Sequence, residues 1–301
     1  MKASSVGFCG LGKMGTPIAK RLATAGYTLH VWNRSPQKTQ TLAEAAPLSV
    51  AACATPADVA ASTDIVVLCL ADGAAVEAVA FGADGLASRA RGGATVIDHT
   101  TLAPSLTRHL AHRWREQTGG VWIDAPVSGG TAGAAAGTLS VMAGGEAARI
   151  VALEPLLGAY AARVSRMGGS GAGHATKLVN QTVVMTTIAA LAEATRLAQR
   201  VGIDACRMPA ALQGGWADSV LMQTLMPRMV TPPRDATGTI RTMLKDLDAV
   251  EELARDSGTS LPVAALVRRW LETAVAQGFG EADISQIVQV EIDTPTGPCL
   301  L

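Results

Sequence analysis

Gly10-Leu11-Gly12-Lys13-Met14-Gly15 constrains the chain more than any other feature, because it joins an apolar run (residues 6–9) to a helical pattern (17–25). In a strand–turn–helix setting these three glycines have separate uses. The first permits a tight turn, the second lets a pyrophosphate approach the backbone, and the third lets helix pack on strand, with the helix N-terminus facing the anion. The spacing alone is weak evidence, but here the context it requires is present. It predicts a dinucleotide-binding βαβ unit at the start of the chain, with Gly10, Leu11, Gly12, Lys13 and Met14 against the cofactor.

The next hundred residues repeat the rhythm of such a unit. Residues 28–32, 65–70, 95–97 and 121–123 read as further strands, mostly continuously apolar, as in a parallel sheet covered on both faces. Between them lie helical patterns such as 104–117, opened by a proline. Alternation of this kind predicts a doubly wound sheet. Strand signals fade after about Val164. A glycine cluster at 168–173 then precedes an Ala- and Thr-rich stretch, 174–200, with no breaker, far longer than the average helix of about 11–12 residues. It predicts a helix that leaves the first domain and forms the spine of a second. Further helical stretches lie at 204–213, 219–226, 239–257, 262–277 and 283–290, and the tail from Glu291 reads as loose. The fold class expected is therefore α/β: a Rossmann doubly wound parallel sheet over residues 1–166, then an all-α domain, 167–301, entered by a long interdomain helix.

Charge and cysteine usage narrow the function. The chain has 301 residues, 25 acidic and 25 basic, without the clustered cations by which duplex binders gain affinity. No nucleic-acid partner is expected. No apolar run approaches the roughly 20 residues needed to span a bilayer. A strand pattern by Val6 leaves no room for a signal peptide, and Cys299, third from the end, does not form a prenylation box. Five scattered cysteines without a C-x-x-C pair suggest reduced thiols. A cytoplasmic protein is expected.

Cofactor choice should be written at the end of the second strand, where an acidic side chain would bind the ribose hydroxyl of NAD. Asn33-Arg34-Ser35 stands there instead, with Lys38 a turn later. A guanidinium, a hydroxyl and an ammonium suit a 2′-phosphate, which a carboxylate would repel. NADP is favoured over NAD. Asp124-Ala125-Pro126-Val127-Ser128-Gly129-Gly130 ends a strand where open sheets place ligands, and a Ser-Gly-Gly turn can offer a hydroxyl and free amides to a carboxylate. Arginine heavily outnumbers lysine, yet Lys177 and Lys245 persist late in the chain. Lys177 shares a helix face with Asn180 and Gln181 by its i, i+3 and i+4 spacing, and lysine, unlike arginine, can exchange a proton. His109, His112 and Glu116 could mimic metal ligands, but their arginine-rich helix reads as a solvated face, so no metal is expected. His99 reads as a loop residue at a strand end. Trp216 reads either as the wall of a pocket or as domain core.

With these residues in place, the sequence resembles the β-hydroxyacid dehydrogenase family, which includes 3-hydroxyisobutyrate dehydrogenase and tartronate semialdehyde reductase. The resemblance reaches to about Val290 and rests on four motifs in order. These are the glycine motif through Ala19, the Asp124–Gly130 turn continuing to Gly137-Thr138-Leu139, the run from Gly171 through Lys177 to Gln181, and Lys245-Asp246-Leu247. It implies that Lys177 is catalytic, with Asn180 ordering it and the substrate. Ser128, Gly129 and Gly130 would hold the substrate carboxylate, with Gln181 beside them. Lys245 would lie near the nicotinamide, and Thr100, Leu70 and Ala71 would contact the cofactor. A homodimer or homotetramer is implied. Gln181 replaces the second Asn of the hydroxyisobutyrate and serine branch and looks like the tartronate semialdehyde branch; Arg21 and Ile18 depart from the common Asn and Met. The expected activity is hydride transfer between a nicotinamide and a small β-hydroxy acid or semialdehyde carboxylate. The rival readings are an imine reductase, which commonly lacks lysine at the Lys177 position, and a non-catalytic NADP-binding module.

Overall fold

The computed structural model describes residues 5–291, and within them the chain parts into two compact units between Leu178 and Val179. The glycine cluster predicts a boundary at 166/167; packing places it two turns into the long helix beyond that cluster. The end of the expected loose tail, including Cys299, lies outside the described residues. Among the described residues no helix is long and apolar enough to cross a membrane.

The first unit is built from β1 (Ser5–Cys9), α1 (Gly15–Thr24), β2 (Thr28–Trp32), α2 (Pro36–Ala45), β3 (Val50–Ala52), α3 (Pro56–Ser62), β4 (Ile65–Leu68), α4 (Gly73–Phe81), β5 (Thr95–Asp98), α5 (Pro104–Thr118) and β6 (Val121–Asp124). After them come β7 (Val127–Ser128), α6 (Gly130–Ala136), β8 (Leu139–Gly144), α7 (Ala147–Leu157), β9 (Ala161–Gly168) and the start of α8 (Ala172–Arg200). The first six strands are parallel in the order β3-β2-β1-β4-β5-β6, and β8 joins antiparallel to β6. The winding reverses between β1 and β4, which puts the ligand crevice of such a sheet at the carboxyl ends of those strands.

Burial on both faces explains the unbroken apolar strands. Val6, Phe8, Leu29, Val31, Val67, Ile97 and Ile123 fill one side with Ile18 and Leu22 of α1. Val66, Leu68, Val96 and Trp122 fill the other with Leu110 and Trp114 of α5. Local signals set the helix ends. Thr55 and Asp58 form a reciprocal capping box at the start of α3, with Pro56 in the first turn. The strands missing from the sequence reading are β3, β7, β8 and β9. β3 and β7 have only three and two residues, β8 alternates buried with half-buried positions, and β9 is an edge strand with several exposed residues. None of these makes a long apolar run.

In the second unit α8 continues, burying Met185, Ile188, Leu191, Ala192 and Ala198. It packs with α9 (Met208–Ala211), α10 (Val220–Val230), α11 (Ile240–Asp256) and α12 (Pro262–Ala274) as an all-helical unit. Its core includes Met222, Leu225, Met226, Leu247, Val250, Trp270, Leu271 and Ile287. Three expected helices are shorter or tighter. The 204–213 stretch becomes a 3-10 turn, Ala205–Arg207, and a four-residue helix, because Asp204 caps the turn and Pro209 removes a donor. The 283–290 stretch is a 3-10 segment, Ile284–Gln289. The helix from Pro262 ends at Ala274, and a wide turn through Gly278, with φ of +90°, succeeds it. Trp216 is no core residue; it stands fully exposed on the loop between α9 and α10.

Candidate active site

The glycine turn behaves as its spacing predicts. Gly10 has φ of +107°, and a Cβ there would strike the Cys69 carbonyl; a Cβ on Gly15 would strike the Gly10 carbonyl. Gly12 differs from both, with nothing within 4 Å of where its Cβ would be. Two glycines are thus fixed by the protein's own packing, and the middle one leaves open space where a phosphate can meet backbone. The chemistry of a dinucleotide pyrophosphate fits this cradle, which sits at the N-terminus of α1. Leu11 is buried, Met14 half-buried and Lys13 exposed.

Asn33, at the end of β2, ties the turn in place. Its Oδ1 accepts the Leu11 amide at 2.8 Å, and its Nδ2 donates to the Ser35 carbonyl at 3.1 Å. Both ends of the amide are used, so Asn33 shapes the turn while Arg34, Ser35 and Lys38 stand exposed beside it. No carboxylate occupies positions 33–38. At the end of β5, the buried Thr100 accepts the Leu70 amide through its hydroxyl at 3.2 Å. That bond brings together two loops that the sequence names separately, with Ala71 exposed at the edge of the second.

His99 proves to be a buried connector. Its Nδ1 lies 2.5 Å from the Ala125 carbonyl oxygen and its Nε2 lies 2.8 Å from the Tyr160 hydroxyl. A carbonyl accepts only, so Nδ1 carries the hydrogen, and Nε2 accepts from Tyr160. Burial drives the imidazole pKa down to about 4, against the opposing pull of the Ala125 carbonyl. The ring is neutral at pH 7. It links the strand end that carries Thr100 to the turn that carries Ser128, Gly129 and Gly130.

Asp124 joins that same turn to α8. Its Oδ1 accepts the Gly171 amide at 2.9 Å and its Oδ2 the His174 amide at 3.1 Å. A wholly buried carboxylate thus satisfies amides that the start of the helix leaves open. Burial raises its pKa, and the amides of Gly171, His174 and Gly173 pull the other way. A Cβ on Gly173 would press on the carbonyls of Met142 and Asp124, which explains the glycine there. The next turn is fastened from the side. Thr107 donates its hydroxyl to the Ala103 carbonyl at 3.1 Å and so accepts from His174 Nδ1 at 2.6 Å. Lys177 comes one turn later, half-buried. Ser128 is half-buried, and Gly129 and Gly130 are exposed, with φ of +128° and +63°.

In the second unit, Asn180 and Gln181 belong to a chain of polar groups. Asn180 Nδ2 donates to Gln181 Oε1 at 3.1 Å, and Gln181 Nε2 donates to Asp246 Oδ2 at 2.6 Å. Lys245 Nζ lies 3.1 Å from Asp246 Oδ1. Gln181, expected at the substrate, spends both ends of its amide inside this chain and is buried. Asp246 is the functional-site candidate that sequence reasoning passes over. Its signal is the Lys245-Asp246-Leu247 motif, in which the lysine is the more obvious chemical group. His112 and Glu116, the metal-like pair, face each other at 3.4 Å on an exposed helix face.

The chain is similar to known proteins along nearly its whole length. Residues 5–169 match the NAD binding domain of 6-phosphogluconate dehydrogenase. Residues 171–291 match the NAD-binding domain of NADP-dependent 3-hydroxyisobutyrate dehydrogenase. The 2-hydroxy-3-oxopropionate reductase of Escherichia coli is 34% identical over 284 residues, covering 94% of this chain and 96% of its own. The solved 3-hydroxyisobutyrate dehydrogenase of Salmonella typhimurium superposes with a TM-score of 0.87 at 29% identity, covering 95% of this chain and 99% of its own. Psf3, solved in complex with NADP+ and 2-OPP, superposes with a TM-score of 0.85 at 26% identity, over 94% of this chain and 99% of its own. A parallel nucleotide-binding sheet, a helical second unit and near full-length matches leave one assignment: the chain belongs to the β-hydroxyacid dehydrogenase family, NAD(P)-dependent oxidoreductases that move hydride to and from small hydroxy acids.

Proposed function

We propose that this chain is an NADP-preferring enzyme of that family, acting on a small β-hydroxy or semialdehyde carboxylate such as 2-hydroxy-3-oxopropionate or 3-hydroxyisobutyrate, with Lys177 as its acid and base. The observation that carries this reading is the fastening of α8. Asp124, at the end of β6 and four residues before Ser128, anchors the start of the helix, so the helix that bears Lys177 begins at the strand end that leads into the Ser128–Gly130 turn. Asn180 shares the lysine's helix face by its spacing.

NADP, when bound, supplies or takes the hydride. The remaining work falls to the chain. Gly10, Gly12 and the N-terminus of α1 hold the pyrophosphate. Arg34, Ser35 and Lys38, exposed and with no carboxylate among positions 33–38, suit the 2′-phosphate. Thr100, Leu70 and Ala71 would form the adjoining edge, and the family resemblance assigns Lys245 to the nicotinamide. Ser128, with the amides of Gly129 and Gly130, grips the substrate carboxylate and so fixes the reacting carbon. In reduction the Lys177 ammonium gives its proton to the carbonyl oxygen as it becomes an alkoxide; in oxidation the amine takes that proton back. Asn180 orients the ammonium. The enzyme works as a homodimer or homotetramer in the cytoplasm. A stripe of exposed Val179, Val183 and Leu197 along α8 supports the assembly, and the free thiols of Cys9, Cys53, Cys69 and Cys206 support a reducing compartment.

The test is Lys177 itself. Lys177→Ala should lower kcat by about 10²- to 10⁴-fold with NADPH affinity little changed, and Lys177→Arg should be nearly as impaired. Wild-type turnover by both variants on 2-hydroxy-3-oxopropionate would overturn the assignment.

A further inference from the structure

The chain from Lys245 through Asp246 and Gln181 to Asn180 has a direction, and the direction has a single origin. An ionised carboxylate can only accept hydrogen bonds, and an ammonium can only donate. Asp246 therefore forces Gln181 to present Nε2 to it at 2.6 Å, which leaves Oε1 to face Asn180. Gln181 Oε1 in turn forces Asn180 to present Nδ2, at 3.1 Å. The Asn180 amide is left with its oxygen turned away from Gln181, an acceptor on the helix face shared with Lys177. Were the polarity reversed, the same asparagine would offer an N–H to a lysine ammonium, donor against donor.

We propose that Asp246 is a positioning residue for the reaction: it sets, through Gln181, which end of the Asn180 amide faces the lysine and substrate, and it holds Lys245 by its other oxygen. The inference rests on the reading of Lys177 and Asn180 given above. Asp246 is buried, and its two oxygens are divided between the two partners, Oδ2 to Gln181 and Oδ1 to Lys245. Gln181 is equally buried and serves as the spacer that transmits polarity. This gives a physical reason for glutamine at that place: its reach spans the gap between the two helices' side chains, and its two ends translate an acceptor on α11 into an acceptor on α8.

The test exploits the fact that an amide, unlike a carboxylate, can face either way. In Asp246→Asn the Lys245 ammonium claims the new amide's oxygen, so the new NH2 faces Gln181. Gln181 then turns over, and Asn180 must turn over after it. Each contact from Lys245 to Asn180 keeps one donor and one acceptor, so the unfolding midpoint should hardly move, whereas Asp246→Leu should lower it. Yet kcat of Asp246→Asn should fall by about 10- to 100-fold, the loss expected for one hydrogen bond to a charged group, with KM little altered. Asn180→Asp alone should also be impaired, because its carboxylate meets Gln181 Oε1. The double variant Asn180→Asp/Asp246→Asn keeps the net charge. Its carboxylate at 180 accepts from the turned Gln181 and still presents an oxygen on the lysine's face. It should turn over 2-hydroxy-3-oxopropionate faster than either single variant. Wild-type kcat in Asp246→Asn, or a double variant no faster than the better single, would overturn the proposal. Lys177→Ala run beside them separates the two ideas: full activity there removes the underlying reading, whereas loss there with an unaffected Asp246→Asn removes only this one.

Discussion

Acid should weaken this protein through His99. The ring is buried between the Ala125 carbonyl oxygen and the Tyr160 hydroxyl, and it titrates near 4 in the fold against 6.5 for a free side chain. The unfolded chain therefore binds the proton more tightly, and stability falls as pH drops from about 6.5 toward 4. Full protonation corresponds to about 3.4 kcal/mol. Between pH 7 and pH 5 the loss is about 1.8 kcal/mol, which for a unit of this size lowers the unfolding midpoint by about 4–7 °C. The physical cause is specific. A second N–H on the ring would confront the Tyr160 hydroxyl, which would have to turn its own hydrogen into apolar surroundings. His99→Asn isolates the effect, because it keeps a donor for Ala125 but has nothing to protonate. The variant should be less stable at pH 7, by about 1–3 kcal/mol for the orphaned hydroxyl. Between pH 7 and pH 5 its stability should decline less steeply than the wild type's. Denaturant unfolding at pH 7, 6 and 5 gives both curves. If they run parallel, the buried neutral imidazole is not the acid-sensitive element.

Two further outcomes concern exposed surfaces. Arg34→Ala should weaken NADPH tenfold or more, the equivalent of about 1.5–3 kcal/mol for a charge-assisted contact, and leave NADH nearly untouched; calorimetric titration that shows equal losses, or a wild-type preference for NADH, refutes the phosphate role. The exposed apolar stripe on α8 should be covered by a second copy, so light scattering should return a multiple of the 30.8 kDa chain mass, and Leu197→Glu should shift the protein toward monomer; a monomeric wild type at micromolar concentration refutes it.

The parts of the fold that the sequence discloses are those where one local pattern decides the outcome. The parallel strands around Phe8, Val67 and Ile97 are legible because burial on both faces leaves an unbroken apolar run, and α8 is legible because residues 174–200 pass without a breaker. β8 and β9 escape because they lie where the sheet turns antiparallel and then ends, so their residues alternate or face solvent. The catalytic candidates are readable as residues but not as partners. Nothing in the spacing of Gln181 and Asp246, 65 positions apart, says that one amide and one carboxylate meet. Likewise, His99 and Tyr160, 61 positions apart, look unremarkable until the fold brings them together. Trp216 escapes for the opposite reason: a large aromatic ordinarily signals burial, and here it stands on an exposed loop.

Asn33 has a consequence for anyone who redesigns the coenzyme preference of this protein. The amide that bonds the Leu11 N–H and the Ser35 carbonyl is architecture, whereas Arg34, Ser35 and Lys38, the proposed readers of the coenzyme, stand exposed beside it. An acid introduced at position 33 could still receive the Leu11 N–H, since it needs only an acceptor there, but it would forfeit the strap to Ser35 and loosen the very segment meant to do the reading. Substitutions at 34, 35 and 38 carry no such penalty, because those side chains stand in solvent. The route to an altered preference therefore runs through the three exposed positions with Asn33 left alone.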